Sequence, residues 1–283
     1  MSEKKDIWQK LERIDRRIIY ALIIFSIAIP IARPIGLPIQ IGVPTRAAYN
    51  YINSLPTGTV VLCGLETSAA GYPSQGPQMQ AYAQHMLDKG MKLVFVSGFV
   101  DGPIQVDIKL FKSLDLRGKT YGVDYVNLGY LAGGPTGMAA FASDITKIYN
   151  TDYYGTPLSA IPLMKSIKTI NDFQLAVVCT SGVPSTVDYL DQYNLKYGTP
   201  IVSGTLGSAP ELVPYFNSGQ LKGYTPDIRG AAEYEILSGH PGYAVASLDA
   251  SSSYAVVILT LVILGNIAML VGRMGKTKVE GST

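Results

Sequence analysis

Small polar residues follow four predicted β-strands and are the residues best placed to do chemistry. Because the carboxyl ends of parallel strands meet at one edge of a sheet, where helix N-termini present free N–H groups, we expect these residues to lie close together. Their hydroxyl and backbone groups suit hydrogen bonds to an anion, a sugar or a carboxylate. Tight turns also need glycine and serine, so a purely structural role stays open. The candidate ligand-binding residues are Gly64, Glu66, Ser68, Ser97, Gly98, Asp101, Ser181, Gly182, Ser203 and Gly204.

Catalytic and metal-binding patterns are weaker. Glu66 and Asp101 form a conceivable acid–base pair, but residues 34–253 contain 16 acidic residues, so some such pair is expected in any case. The glycine-rich stretch 133–137 lacks the lysine of a P-loop and the glycine spacing of a dinucleotide-binding turn. The two histidines are far apart and form no cluster with the cysteines, so we predict neither a metal site nor a cofactor.

The chain has two cysteines, Cys63 and Cys179, and each lies near the end of an apolar predicted strand. Three roles are open: buried thiols that act as small hydrophobic groups, a disulfide between neighbouring strands, or a catalytic nucleophile. The last is weakest, because nothing in the sequence places His85 or His240 beside a cysteine. We favour two buried thiols.

Apolar runs that end in glycine alternate with helical stretches through the middle of the chain. This alternation predicts a parallel sheet with helices on both faces. The predicted fold class is therefore α/β, a three-layer, Rossmann-like, mostly parallel sheet. The predicted strands are residues 59–64, 92–98, 124–131, 173–182 and 200–204, and the predicted helices are residues 46–54, 78–89, 104–113, 137–149, 185–193, 209–218 and 228–238.

Two pairs of predicted strands, one in each half of this region, have similar sequences. The strands at 60–64 and 94–98 read VVLCG and VFVSG, and those at 176–182 and 201–204 read AVVCTSG and IVSG. Either the domain has two related halves, or the likeness arises by chance because parallel strands use few residue types.

Two apolar segments flank the α/β region. Tyr254 to Val271 has no charged residue, and as a helix it would extend roughly 27 Å, about the thickness of the hydrocarbon layer. The alternative is a buried core helix, but such a helix normally keeps one polar face and this segment offers only Thr260 and Asn266 for it. Ile18 to Ala32 is shorter, but Arg33 can extend its charge outward and apolar residues follow it. A cleavable signal peptide is the alternative for the first segment, and Pro30 disfavours the best cleavage position. We predict transmembrane helices at both ends of the chain.

Basic residues border both segments on their terminal sides. By the positive-inside rule, both termini are cytoplasmic and the middle of the chain lies outside the cell membrane. Residues 34–253 contain 13 basic and 16 acidic residues, a net charge of 13 − 16 = −3, which speaks against nucleic acid as a partner. The predicted organisation is a basic cytoplasmic tail (1–17), a transmembrane helix (18–35), an extracytoplasmic α/β domain (36–253), a second transmembrane helix (254–272) and a cytoplasmic tail (273–283).

Three smaller features add to this layout. Apolar residues at helical spacing within residues 7–18 form either an amphipathic surface helix or an extension of the first membrane helix. The tyrosine- and glycine-rich stretch 214–237 suits either an interface or ordinary packing of the last helices. Ala268 and Gly272 form a small-xxx-small pair that suits close helix packing.

Residues 219–223 read GQLKG and residues 230–235 read GAAEYE. The stretch from Gly122 to Glu235 contains these motifs, and an apolar segment lies near each end of the chain. In both respects the chain resembles uncharacterised prokaryotic membrane proteins that have two anchors and a Rossmann-like extracytoplasmic domain. The order of strands and helices also resembles periplasmic-binding-protein-like domains. The resemblance implies a layout and no activity.

Two classes of function are compatible with these features. We favour a non-enzymatic, membrane-anchored extracytoplasmic module, which is a ligand-binding or assembly subunit of a membrane complex. The alternative is a membrane-tethered hydrolase or transferase that uses the loops at the carboxyl ends of the strands. The expected partners are the lipid bilayer, a partner membrane protein or a second copy of the chain, and a small polar ligand.

Overall fold

A computed structural model describes residues 15–182 and 185–280. It separates an α/β unit, Ile39–Val245, from a second unit that contains the described parts of both terminal segments. The strands are β1 (Val60–Glu66), β2 (Lys92–Ser97), β3 (Tyr125–Tyr130), β4 (Leu175–Thr180), β5 (Ile201–Thr205) and β6 (Leu221–Pro226). The helices are α1 (Arg16–Ala32), α2 (Val43–Ser54), α3 (Tyr72–Asp88), α4 (Gly102–Gln105, Val106–Leu110 and Phe111–Ser113), α5 (Gly134–Ser143), α6 (Ile145–Ile148), α7 (Thr186–Tyr189, Leu190–Asn194 and Leu195–Tyr197), α8 (Val213–Asn217), α9 (Asp227–Ser238) and α10 (Tyr243–Glu280).

The six strands form one sheet in the order β3-β2-β1-β4-β5-β6, and all neighbours are parallel. This confirms the predicted α/β class with its parallel sheet. The chain winds from β1 to β3 toward one edge and then from β4 to β6 toward the other. The two pairs of similar strand sequences hold equivalent positions in these halves, because they form β1 and β2 in one half and β4 and β5 in the other.

A hydrophobic core covers each face of the sheet, which gives three layers. In β1, Leu62 contributes to one core, and Val61, Cys63 and Leu65 contribute to the other. Side chains of α5 and α7 pack in the first core, and side chains of α3 and α4 pack in the second. Successive strand residues point to opposite faces, so both sets of apolar side chains are buried and the strands read as continuous apolar runs.

The sixth strand was missing from the sequence prediction, because β6 contains Lys222, Gly223 and Pro226 and resembles a turn-rich stretch. Gly223 explains its composition: a Cβ atom there would lie 2.2 Å from the backbone nitrogen of Ala48 in α2. Helix α2 therefore packs directly on one face of the β6 backbone, and its Ala48 and Ile52 belong to the core on that side of the sheet.

Two glutamates of the GAAEYE motif bind the starts of other helices. Glu233 accepts a hydrogen bond from the N–H of Gly42, the residue before α2, at 2.9 Å. Glu235 accepts hydrogen bonds from the N–H groups of Gly242 (2.8 Å) and Val245 (2.9 Å) at the start of α10. Tyr234 between them is fully buried, so this stretch forms part of the packed domain.

Helix α10 contains a membrane-spanning candidate, Tyr243–Leu270, with 28 residues and a mean hydropathy of 2.2. Among the described residues it is the one helix that meets this length and composition. Helix α1 has 17 residues, so the predicted span at 18–35 is not shown. The helix ends at Ala32 because Arg33 precedes Pro34, and a residue before proline disfavours the helical conformation. The predicted amphipathic segment lies largely outside the described residues.

Replacing Gly223 with alanine tests the contact between β6 and α2. We expect Gly223→Ala to lower the free energy of unfolding by about 1–3 kcal/mol, because the added methyl group meets backbone atoms that have no rotamer to change. Denaturant unfolding of the detergent-solubilised protein measures this loss. The neighbouring Lys222→Ala is the control and should change it by less than about 0.5 kcal/mol. Equal stabilities of the two variants would contradict the direct packing of α2 on β6.

Candidate functional site

The switch point of the sheet lies between β1 and β4, which are neighbours although the chain leaves them toward opposite edges. In sheets of this order, ligands bind in the crevice outside the carboxyl ends of the central strands. Thr67 follows β1, Ser181 follows β4, and their hydroxyl oxygens lie 3.0 Å apart. The two loops therefore meet at this edge of the sheet.

Glu66, the last residue of β1, is fully buried. Its Oε1 accepts a hydrogen bond from the Tyr189 hydroxyl at 2.6 Å, and its Oε2 accepts one from the Gly98 N–H at 2.5 Å. Gly64, two residues earlier on the same face, makes room for the tyrosine, because a Cβ atom there would lie 2.1 Å from the Tyr189 hydroxyl oxygen. Tyr189 therefore lies against the strand and reaches the carboxyl group.

Burial raises the pKa of Glu66 to about 7. The hydrogen bonds from Tyr189, Gly98 and Ser97 oppose this rise, because they favour the charged form of the carboxyl group. A carboxyl group with this pKa changes its protonation state near neutral pH, which is a common property of groups at functional sites.

Further hydrogen bonds join the carboxyl ends of β1 and β2 and the loops that follow them. The Ser97 hydroxyl donates to the Leu65 carbonyl at 2.6 Å, and the Asp101 carboxylate accepts from the Ala69 N–H at 2.7 Å. Asp101 and Glu66 therefore hold backbone groups of neighbouring loops, and both act as structural acceptors in this arrangement.

Ser203 and Gly204 lie inside β5 and are buried. The Ser203 hydroxyl oxygen lies 2.6 Å from that of Thr186 at the start of α7. A Cβ atom at Gly204 would lie 2.6 Å from the Cys179 sulfur and 2.7 Å from the Gln78 amide oxygen. Glycine at 204 therefore allows β5 to pack closely against its neighbours, and this position serves the core.

A cavity of about 380 Å³ opens at the carboxyl ends of β4 and β5, beside the start of α7. Most of its lining residues are small or carry hydroxyl groups. They are Thr180, Ser181, Gly182, Ser185, Thr186, Val187, Thr205, Leu206, Glu211 and Leu212.

The hydroxyl groups of this lining already have partners within the protein. The Ser185 hydroxyl contacts the Asp188 carboxylate at 2.9 Å, and the Thr205 hydroxyl donates to the Gly207 carbonyl at 3.2 Å. Glu211 places an exposed carboxylate in the lining, and none of the described lining residues is lysine or arginine. The cavity is therefore polar and carries no positive side chain among these residues.

The structure divides the ten predicted residues into separate groups. Glu66 carries the buried carboxyl group, and Gly64, Ser97 and Gly98 lie around it. Ser181 and Gly182 line the cavity, and Ser203 and Gly204 are buried in β5. Asp101 links two loops, and Ser68 accepts the Gly71 N–H within its own turn at 3.4 Å.

The sequence prediction missed Tyr189 and Glu211. A signal for Tyr189 existed, because Ser185 and Asp188 form a capping box that starts α7 and places the tyrosine in its first turn. Nothing in the sequence pointed to Glu211. It enters the lining through the turn at Ala209, whose φ of 45° lies in the left-handed region that non-glycine residues rarely adopt.

The cysteines are free and buried, and burial raises the pKa of both thiols. The histidines lie elsewhere: His85 contacts the Tyr234 hydroxyl at 2.8 Å, and His240 contacts Asp88 at 2.9 Å. The structure thus agrees with two buried thiols. Within the described residues, no group of three or more histidine, cysteine or acidic side chains is arranged to hold a metal ion.

Comparison with known proteins finds no matching family model, no matching curated protein and no matching solved structure. Function must therefore be argued from the site itself.

The raised pKa of Glu66 predicts that stability depends on pH. Between its ordinary pKa near 4.5 and about 7, the folded protein keeps a proton that the unfolded chain has released. Stability conferred by this group is therefore full below pH 4.5 and falls as the pH rises to about 7, by about 3 kcal/mol in total. We expect Glu66→Gln to lose this dependence, because its amide can donate to Tyr189 and accept from Gly98 without titrating. Denaturant unfolding between pH 5 and pH 7.5 measures the difference.

The comparison of Glu66→Gln with wild type isolates this effect. Burial lowers the pKa of His85 to about 4, which makes stability fall as the pH drops below 6.5, but this contribution is present in both proteins and cancels. Glu211→Gln removes a carboxylate from the cavity lining and controls for the loss of a negative charge at this end of the sheet. If Glu66→Gln and wild type show the same profile, Glu66 does not titrate in this range.

Proposed function

We propose that this protein is a membrane-anchored extracytoplasmic module that binds a small polar ligand without net negative charge, as a subunit of a membrane complex. The cavity at the carboxyl ends of β4 and β5 is the observation that carries this proposal. Its volume of about 380 Å³ lies within the range of small-molecule sites, and carboxyl ends are where open parallel sheets bind their ligands.

Charge favours a neutral or cationic ligand over a phosphate. Glu211 lines the cavity, Asp188 contacts the lining residue Ser185, and no described lining residue carries a positive charge. A phosphate would be repelled by these carboxylates and would have no lysine or arginine to pair with. Hydroxyl oxygens, backbone groups and Glu211 suit a polyol, a sugar or an amine.

The membrane part of the proposal is supported by α10 and by the flanking charges. Arg273, Lys276 and Lys278 follow the apolar part of α10, and further basic residues precede α1 in the sequence. With both basic ends in the cytoplasm, the α/β unit lies outside.

A hydrolase or transferase is the second candidate, and the observation that favours it is the raised pKa of Glu66. The same residue is 0% exposed, and both of its carboxylate oxygens hold hydrogen bonds from the protein. A substrate would have to displace Tyr189 or Gly98 to reach it. The geometry therefore supports a binding module better than an enzyme.

Ligand binding is tested by thermal unfolding and calorimetry with neutral sugars, polyols and amines, and with inorganic phosphate for comparison. We expect a member of the first group to stabilise the protein without being converted, and phosphate to have no effect. Leu206→Trp places a large ring at the cavity and should weaken binding by about tenfold or more. Val123→Trp is a matched control, because Val123 is exposed and precedes β3 at the opposite edge of the sheet. Equal affinities of the two variants would rule out this cavity, and turnover that Glu66→Gln abolishes with folding intact would favour the enzyme.

The topology is tested separately with reporter fusions. Fused after Lys278, a reporter that works only in the cytoplasm should be active, and one that works only outside the cytoplasm should be inactive. Inserted at the exposed turn residue Gly118, the two reporters should show the reverse. An extracytoplasmic C-terminus would overturn the proposed location and leave the cavity argument intact.

A further inference from the structure

Helix α1 has one stripe of residues that is less exposed than its other residues, and the apolar part of α10, from Tyr254 to Leu270, has a matching stripe with Ile258 beside it. The stripe residues recur at intervals of four, three and four in both helices, which places each set on one face. They are Ile19, Ile23, Ser26 and Pro30 in α1, and Val257, Leu261, Leu264 and Ala268 in α10.

The other faces of both helices are apolar and exposed. In α1, Ile24 and Phe25 are 63% and 60% exposed, and in α10, Val256 and Leu259 are 63% and 60% exposed. Such surfaces suit the hydrocarbon layer, whose thickness of about 30 Å a 17-residue helix of about 26 Å nearly matches.

A buried carboxylate links the chain after α1 to α10. Asp249 of α10 is 1% exposed. It accepts hydrogen bonds from three successive N–H groups, those of Ile35 (2.8 Å), Gly36 (2.8 Å) and Leu37 (3.1 Å). Gly36 has a φ of +73°, a conformation that suits glycine and lets its N–H and those of its neighbours converge on one acceptor. This contact places the end of α1 beside the early part of α10.

We infer that α1 and α10 form an antiparallel pair that crosses the membrane together, with the two stripes facing each other and Asp249 setting their register. With increasing distance from the Asp249 contact, residue numbers fall along α1 and rise along α10, so the two helices are antiparallel. Ile23 then lies beside Leu261, and Ile19 lies beside Leu264. In this pairing α1 is a second membrane span, which its length of 17 residues does not by itself indicate.

Packing holds the apolar parts of this pair together, since the side chains of Thr260 and Asn266 in α10 are satisfied by their own helix. Thr260 donates to the Val256 carbonyl at 2.8 Å, and Asn266 donates to the Val262 carbonyl at 2.9 Å. Neither group needs a partner on another helix. Small residues in the stripes, Ser26 and Ala268, allow the close approach on which helix association in lipid depends.

Disulfide formation between engineered cysteines tests the pair in intact membranes. The variants Ile23→Cys/Leu261→Cys and Ile19→Cys/Leu264→Cys join facing stripe residues, and Ile24→Cys/Leu259→Cys joins outward residues as the control. After oxidation, each protein is denatured without reduction and treated with a maleimide polymer, and its adducts are counted. The two native cysteines are free and serve as an internal reference. We expect two adducts for the stripe pairs and four for the outward pair.

Each other result has a defined meaning. Four adducts for the stripe pairs, or two for the outward pair, would overturn the facing of the stripes. Three adducts on a shortened chain would show that the first segment is cleaved, and would also overturn the pair. Asp249→Ala should lower the bridged fraction of Ile23→Cys/Leu261→Cys several-fold while the α/β unit keeps its unfolding temperature. An unchanged bridged fraction would overturn the role of Asp249. None of these results depends on whether the cavity binds a ligand.

Discussion

The hydroxyl group of Tyr189 lies against Gly64 of β1, and the arrangement of the candidate site depends on this contact. Any side chain at position 64 would occupy the place of the tyrosine hydroxyl, so glycine sets how closely α7 approaches the sheet. The hydroxyl then donates to Glu66, which also holds Gly98 in the loop after β2. Because the start of α7 forms one wall of the cavity, the shape of the cavity follows from packing at the switch point of the sheet.

Buried carboxylates recur in this protein, and backbone N–H groups satisfy them in each case. Glu66, Glu235 and Asp249 are at most 3% exposed, and the structure shows each of them accepting from the backbone. Glu233 behaves in the same way and also contacts Arg229 at 3.2 Å. Charge-assisted hydrogen bonds of this kind offset part of the cost of removing a carboxylate from water, and at Glu66 and Glu235 burial still raises the pKa. The GAAEYE motif is thereby explained as a device that anchors the starts of α2 and α10, with no catalytic role needed.

The acidic residues at the carboxyl ends of the strands differ in whether the protein itself already engages them. Glu66 and Asp101 are occupied by backbone donors, whereas Glu211 is exposed in the lining of the cavity. The hydroxyl groups of the lining hold internal partners, so a ligand would meet their remaining lone pairs and backbone groups. Such a lining would favour a ligand that donates hydrogen bonds, in agreement with the neutral or cationic ligand that we propose.

The sequence by itself determined the α/β class, the five apolar strands, the long apolar segment of α10 and the burial of Cys63 and Cys179, because apolar runs and their periodicity are local properties of a chain. It also placed polar residues at the strand ends. Only the tertiary structure decided the strand order, the presence of β6, and which of those residues meet: Glu66 with Gly98 and Tyr189, but not with Ser203. These outcomes depend on contacts between residues far apart in sequence, such as Gly223 with α2 and Gly64 with Tyr189, and no local pattern encodes which side chain will fill the space above a glycine.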